Sequence, residues 1–283
     1  MSNRIRRGGW SWGAVDGAQL RVLSLGAGVQ STAMALMAAH GEIEPMPDLC
    51  IFADTGDETN ATMEHLEWLS SGNVLPFPVH RIGNGRRLSD DIRDRADGTT
   101  GRRFVSAPFF TGNGGQGRRQ CTREFKVAPI TKEQRRLLGY RPRQRIPAGS
   151  CENWIGISTD EVVRAGAAFD RWAVNRYPLL EARMSRWDCE QWLRRHDYPV
   201  PPKSACVFCP YRSNAEWRWL RDNDPESWAV AIEIDELIRE TPGMKYAEYL
   251  HSDRVPLAEV DLSTPEDKGQ ASFFLECEGF CGL

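Results

Sequence analysis

The 283-residue chain has no apolar run approaching the length of a membrane span, so neither a transmembrane helix nor a membrane partner is expected. Its first ten residues, Met1 to Trp10, are basic but lack the apolar stretch of a signal peptide. A cytoplasmic address is the resulting expectation. No internal repeat is visible, which argues against a solenoid or other modular array. Net charge is only −3, so charge balance by itself selects no class of partner. What is present is ordinary for a globular chain, with 41% hydrophobic and 27% charged residues. Eight cysteines without a secretory context argue against a disulfide framework and toward metal or redox work. The length suits one large domain, or one domain with a smaller appendage.

The distribution of charge says more than its sum. Between Arg81 and Arg145 there are fifteen Arg and two Lys against four Asp and two Glu, a local balance of +11 that leaves −14 elsewhere. A basic segment over 81–145 suits a phosphate-rich partner such as tRNA or DNA. A solvated loop accounts for the same composition.

Hydrophobic patterning indicates an α/β fold. Gln19 to Leu25 reads as a buried parallel strand, Gln30 to His40 as a helix, and Leu49 to Ala53 as a second strand. Thr59 is placed to cap a helix through Met63, Leu66 and Leu69. Phe77 to Ile82 suggests a third strand. From Gly83 to Gly117 the sequence turns to Gly, Arg, Asn, Asp and Thr, as in a long functional or disordered loop. Trp154 to Ile157 reads as a further strand, with Ser158 placed to cap the next helix. Trp187–Arg195, Ser213–Arg221 and Pro225–Glu240 read as helices. The expected architecture is a parallel twisted sheet flanked by helices, with right-handed crossovers and a C-terminal helical region. Its expected parts are a basic arm over 1–18, a nucleotide-binding domain over 19–200 with a flexible basic insertion at 83–120, and a cysteine motif, helical region and tail over 201–283.

The turn after the first strand is Ser24-Leu25-Gly26-Ala27-Gly28-Val29-Gln30-Ser31. A glycine-rich turn there presents backbone N–H groups and the positive end of a helix dipole to anionic oxygens. It lacks the Lys-Ser/Thr ending of a Walker loop and does not fit Gly-x-Gly-x-x-Gly. It resembles instead the PP-loop of the adenine nucleotide α-hydrolase superfamily (a Rossmann-like, HUP-type fold), in its phosphoadenylyl-sulfate (PAPS) reductase-like branch. Asp54-Thr55-Gly56-Asp57-Glu58-Thr59 is similar to that branch's Asp-Thr-Gly motif, and Gly156 to Glu161 with Arg164 to a later element. The motifs keep the family's order from Arg21 to Arg212. The resemblance implies binding of ATP or a related adenylyl nucleotide. Ser24, Gly26, Gly28, Gln30 and Ser31 would hold phosphates, Asp54 would sit near the nucleotide with Mg²⁺, Gly156 would approach adenine, and Arg164 would meet phosphate or sulfate. Capping is the plain alternative for Asp54 and Asp160.

Cys206-Val207-Phe208-Cys209-Pro210 is a Cys-x-x-Cys pair, and Cys121 lies in Gln120-Cys121-Thr122-Arg123-Glu124-Phe125-Lys126. Thiolates so spaced can share a metal or cluster. The family resemblance implies a [4Fe–4S] cluster on Cys121, Cys206 and Cys209, although the family's iron–sulfur reductases carry an adjacent Cys pair where this chain has Cys121 alone. Three ligands would leave one iron open, or Cys151, Cys189 or a tail cysteine would complete the set. Zinc is the nearest rival and inert thiols the plain one. Cys50, Cys151 and Cys189 read by default as structural. In the tail, Cys281-Gly282-Leu283 resembles a mobile sulfonucleotide-reductase element but lacks its His; Cys281 is a candidate sulfur carrier, with a frayed end as the plain alternative.

Three functions are compatible with these motifs. The first is an ATP-dependent sulfurtransferase that thiolates nucleic acid, releasing AMP and pyrophosphate. The second is a PAPS or adenylyl-sulfate reductase releasing sulfite. The third is a non-catalytic nucleotide-binding subunit. Trp10, Trp12, Trp217 and Trp219 offer base-stacking surfaces or simply pack. A homodimer is a further expectation.

Overall fold

The computed structural model describes residues 7–98, 105 and 107–269. In chain order the elements are β1 (Gly9–Ser11), β2 (Leu20–Leu25), α1 (Val29–Ala39), β3 (Leu49–Ala53), α2 (Asn60–Ser70), β4 (Val79–Ile82), α3 (Leu88–Ala96) and β5 (Phe110–Thr111). A π-helical turn, Thr122–Val127, leads into α4 (Ala128–Leu137). Then come β6 (Cys151–Ile155), the 3₁₀ turn Thr159–Arg164, β7 (Ala173–Arg176), α5 (Pro178–Glu181), α6 (Arg186–Arg195), α7 (Asn214–Asn223), α8 (Pro225–Arg239) and β8 (Glu248–Tyr249). Two compact units share these elements: Met1–Ala53, Ala61–Ile82 and Val127–Ser204 form one, and Asp54–Asn60, Gly83–Lys126 and Ala205–Leu283 the other. Among the described residues no helix is long and apolar enough to cross a membrane.

The first unit is built on a six-stranded parallel sheet in the order β1-β7-β6-β2-β3-β4. Side chains alternate across it. Leu23, Leu25, Cys50, Phe52 and Trp154 join one apolar cluster with residues of α1 and α6, while Val22, Leu49, Ile51 and Cys151 join another with Ile130 and Leu137 of α4. Burial on both faces explains why β3 reads as an unbroken apolar run. The chain fills β2, β3 and β4 outward on one side, then returns through β6 and β7 on the other. The order therefore reverses beside β2 and β6, the topological switch point where ligands of open α/β sheets bind.

The second unit packs α3, α7 and α8 around Leu88, Ile92, Phe109, Phe125, Phe208, Trp217 and Ile234. Each fully buried side chain of this size contributes about 1.5–3 kcal/mol. Serine capping boxes start α6 and α7: Ser185 exchanges bonds with Asp188 (2.8 and 3.1 Å), and Ser213 with Glu216 (2.8 and 3.4 Å). Asp224 caps α8 by accepting from the Ser227 amide at 3.1 Å.

Several elements differ from expectation. The stretch from Gly83 to Gly117 contains a nine-residue helix, α3, whose N-terminal amide at Ser89 donates to the buried Asp57 at 2.7 Å. Its polar sequence hides it among glycines. β1 lies within the expected basic arm, and β7, Ala-Val-Asn-Arg, carries too many polar residues to read as a strand. Trp217 is fully buried, so it packs and offers no base-stacking surface.

Candidate nucleotide and thiol sites

The loop after β2 is held by its own backbone and one hydroxyl. The Gly26 amide donates to Ser31 Oγ at 3.1 Å, and that hydroxyl donates to the Gly28 carbonyl at 3.2 Å. Ser31 thus shapes the loop as well as lining it. Ala27 between the glycines has φ +54° and is fully buried, a left-handed conformation that costs a non-glycine residue about 1–2 kcal/mol. Gly28 takes the N-cap position of α1 in extended geometry, and no side chain caps the helix. The first amides of a helix have no partner within it. Here they open at the switch point of the sheet.

Gly156 follows β6 directly beside this loop. A Cβ there would stand 3.2 Å from the Ser31 amide nitrogen and 3.3 Å from its Cα, so only glycine fits without moving the loop. The glycine admits the turn of α1, a backbone-to-backbone approach. Ser204 also reaches the loop, its Oγ donating to the Gly26 carbonyl and its Cβ lying 3.5 Å from where a Gly28 Cβ would sit. No sequence motif marked Ser204. Ser24, Gly26, Gly28, Gln30, Ser31 and Gly156 are therefore placed together by the sheet. Arg164 lies in the same unit, bound to Glu161 at 2.5 Å with its buried Nε unpartnered. Ser158 takes the N-cap position of the 3₁₀ turn, but its hydroxyl donates to Asp160 at 3.2 Å instead of capping it. Asp160 also accepts the Arg186 amide at 2.5 Å. Asp54 belongs to the second unit, where it accepts the Gly56 amide at 2.7 Å in a tight turn.

Three separated segments of the second unit build the thiol site. Residues 55–58 meet the Cys-x-x-Cys loop through a bridge between Glu58 and Cys206, and the Val207 amide donates to the Asp57 carbonyl at 2.8 Å. The Cys209 amide donates to the Cys206 carbonyl at 3.0 Å, closing the turn. Arg212, buried over the Trp217 ring, donates to the carbonyls of Ala205 and Cys206 at 3.0 and 3.1 Å. Thr55 Oγ1 lies 3.2 Å from Cys206 Sγ. The π-helical turn carries Lys126, whose ammonium lies 3.2 Å from the fully buried Glu58 carboxylate. Burial opposes the Lys126 charge, yet Glu58 and the thiols of Cys206 and Cys209 hold its pKa above the ordinary lysine range. Burial pushes the Cys206 thiol well up, Glu58 adds to this, and Lys126 and Thr55 oppose it. Glu58 Oε2 is buried with no hydrogen-bond partner. Cys121 and Cys206 both pack against the apolar cluster of this unit.

The other described cysteines behave as core residues. Cys50, Cys151 and Cys189 are fully buried in the sheet unit, and burial pushes the thiols of Cys151 and Cys189 up to about 12. Cys281 lies outside the described residues. The basic stretch is divided between the two units, and much of its charge is paired: Arg87 with Asp57, Arg86 with Asp91 and Asp94, Arg93 with Glu233, Arg136 with Glu133. Arg95 and Glu248 form a buried pair at 2.7 Å.

No family model matches the chain, and no curated protein matches it. Among solved structures it is similar to phosphoadenylyl-sulfate (PAPS) reductase from Candida auris in a phosphate complex. The identity is 10%, the TM-score 0.44, and the match covers 68% of this chain and 84% of that one. The likeness is too distant to bear on activity.

Proposed function

We propose that the chain is an adenine-nucleotide-binding enzyme of the PP-loop kind, of the PAPS reductase-like branch, and that it uses ATP to replace an oxygen of its substrate by sulfur. One observation carries the reading: the uncapped N-terminus of α1 opens at the switch point of the sheet, beneath a loop closed by Gly26, Gly28 and Ser31 and crowded by Gly156. Such a cradle suits phosphate oxygens, through amide donors and the helix dipole. The acceptor oxygen attacks the α-phosphorus of ATP and pyrophosphate departs. A sulfur nucleophile at the sulfide level then displaces AMP, leaving sulfur on the acceptor.

The thiol site fits an iron–sulfur cluster. Cys121, Cys206 and Cys209 would hold it, with Lys126, itself paired to Glu58, lying close enough to feel the thiols of Cys206 and Cys209. When bound, it supplies an iron able to carry sulfide. Zinc is the nearest rival. The same Cys-x-x-Cys spacing serves zinc as well as an iron–sulfur cluster. A nucleic-acid acceptor draws support from the neighbouring indoles of Trp10 and Trp12, 48% and 63% exposed with rings 5.3 Å apart.

Pyrophosphate release from ATP by anaerobically purified protein, with tRNA, with DNA and with neither, tests the proposal. Release that depends on one nucleic acid supports it and names the acceptor class. Sulfite release from PAPS or adenylyl sulfate without ATP turnover would establish a reductase instead.

A further inference from the structure

The first unit holds a second group of metal-ligating side chains, at the far end of α1 from the loop. His40 is the C-cap of α1 and His196 the C-cap of α6, so two helix C-termini, the negative ends of their dipoles, meet around one point. Glu42 completes the group. One ligand atom from each of His40, Glu42 and His196 lies within 4.8 Å of the other two, and no other such group occurs among the described residues. The imidazole rings stand 5.2 Å apart, and His196 Nε2 is 4.0 Å from Glu42 Oε1.

The surroundings orient these ligands as a metal site requires. His196 Nδ1 lies 2.8 Å from the Trp192 carbonyl, which takes its proton and leaves the Nε2 lone pair directed at the carboxylate side. The indole of the same Trp192 donates to both oxygens of Glu42, at 3.2 and 3.0 Å. One buried tryptophan thus positions two of the three ligands. His40 Nε2 lies 2.9 Å from the Tyr198 hydroxyl, and Trp192, His196 and Tyr198 form a stack that fixes the rings. An ordinary surface histidine pair has no such support.

We propose that His40, Glu42 and His196 bind one divalent transition-metal ion, zinc by donor set, which clamps the C-terminus of α1 to that of α6. Two imidazoles and a carboxylate are typical zinc ligands, and the partly exposed site leaves room for water as the fourth. This site is independent of the cysteines of the second unit. Cobalt(II) is a suitable probe, added to anaerobically purified protein with whatever metal its cysteines carry left in place. The expected result is one additional ion per chain, with the weak visible bands of nitrogen and oxygen ligation and no thiolate charge-transfer band. H40Q/H196Q should lower affinity at least 100-fold, and Trp192→Phe about 10-fold by releasing Glu42. Electron spin-echo modulation with copper(II) on the unaltered protein, which needs no variant to fold, should show imidazole nitrogen. Unchanged affinity in H40Q/H196Q, or copper without imidazole nitrogen, would overturn the proposal.

Discussion

The phosphate loop and the thiol site are built in opposite ways. The loop is made from backbone, small residues and one hydroxyl, all within a short stretch plus Gly156 and Ser204. The thiol site is made from charged and sulfur side chains on segments 55–58, 121–126 and 206–212, packed into an apolar core. The first depends on what side chains are absent. The second depends on buried charges that are costly unless paired. Substitutions should therefore affect binding in the first region and stability in the second.

The largest effect should come from Lys126→Met. It strands the Glu58 carboxylate, fully buried and already short of one hydrogen-bond partner. Breaking a buried pair costs about 3–5 kcal/mol, and the one-third exposure of Lys126 points to the lower end. Urea unfolding should show that loss, and adding Glu58→Gln should restore part of it. Equal stability of Lys126→Met and the unaltered protein would mean that the pair is not as buried as described.

Next is a pH dependence within the sheet unit. His65 lies 3.0 Å from Thr32 Oγ1 in the first turn of α1, and burial lowers its pKa from 6.5 to about 4. The unfolded chain takes up this proton at higher pH than the folded one. Stability from this residue is therefore full above pH 6.5 and is lost as pH falls toward 4, by up to about 3 kcal/mol. His65→Gln should flatten that part of the stability profile, whatever its effect at neutral pH. An unchanged profile would assign the pH dependence elsewhere.

Gly156→Ala should act on binding more than on folding. The added methyl must displace Ser31 backbone by a few tenths of an ångström, which we expect to weaken ATP binding about tenfold, or 1.4 kcal/mol, by titration calorimetry. The smallest effect is Ser31→Ala, which removes two bonds that shape the loop and should weaken ATP binding by about 1 kcal/mol, with little change in unfolding. If Gly156→Ala lowers stability while leaving affinity intact, the contrast between the two regions fails.

The contrast also explains what the sequence revealed. β2, α1 and β3 were legible because apolar runs, glycines and helix periodicity lie close together along the chain, and each observed boundary falls within one residue of expectation. Gly26 and Gly28 could be found the same way. The Cys-x-x-Cys loop was legible from spacing, but the Glu58–Lys126 pair and the Arg212 grip on Cys206 join distant segments and leave no local pattern. α3 was hidden by its polarity, and β7 by Asn175 and Arg176, which is ion-paired to Glu152 and Glu181. The His40–Glu42–His196 group carries no recognisable spacing because α6 brings His196 from far along the chain.

Amide hydrogen exchange with and without ATP and Mg²⁺ shows whether nucleotide occupies the N-terminus of α1. Slowed exchange is expected at Ala27 through Ser31, where nucleotide phosphates would take the open amides of α1. Unchanged exchange across that loop at saturating nucleotide would contradict nucleotide binding there.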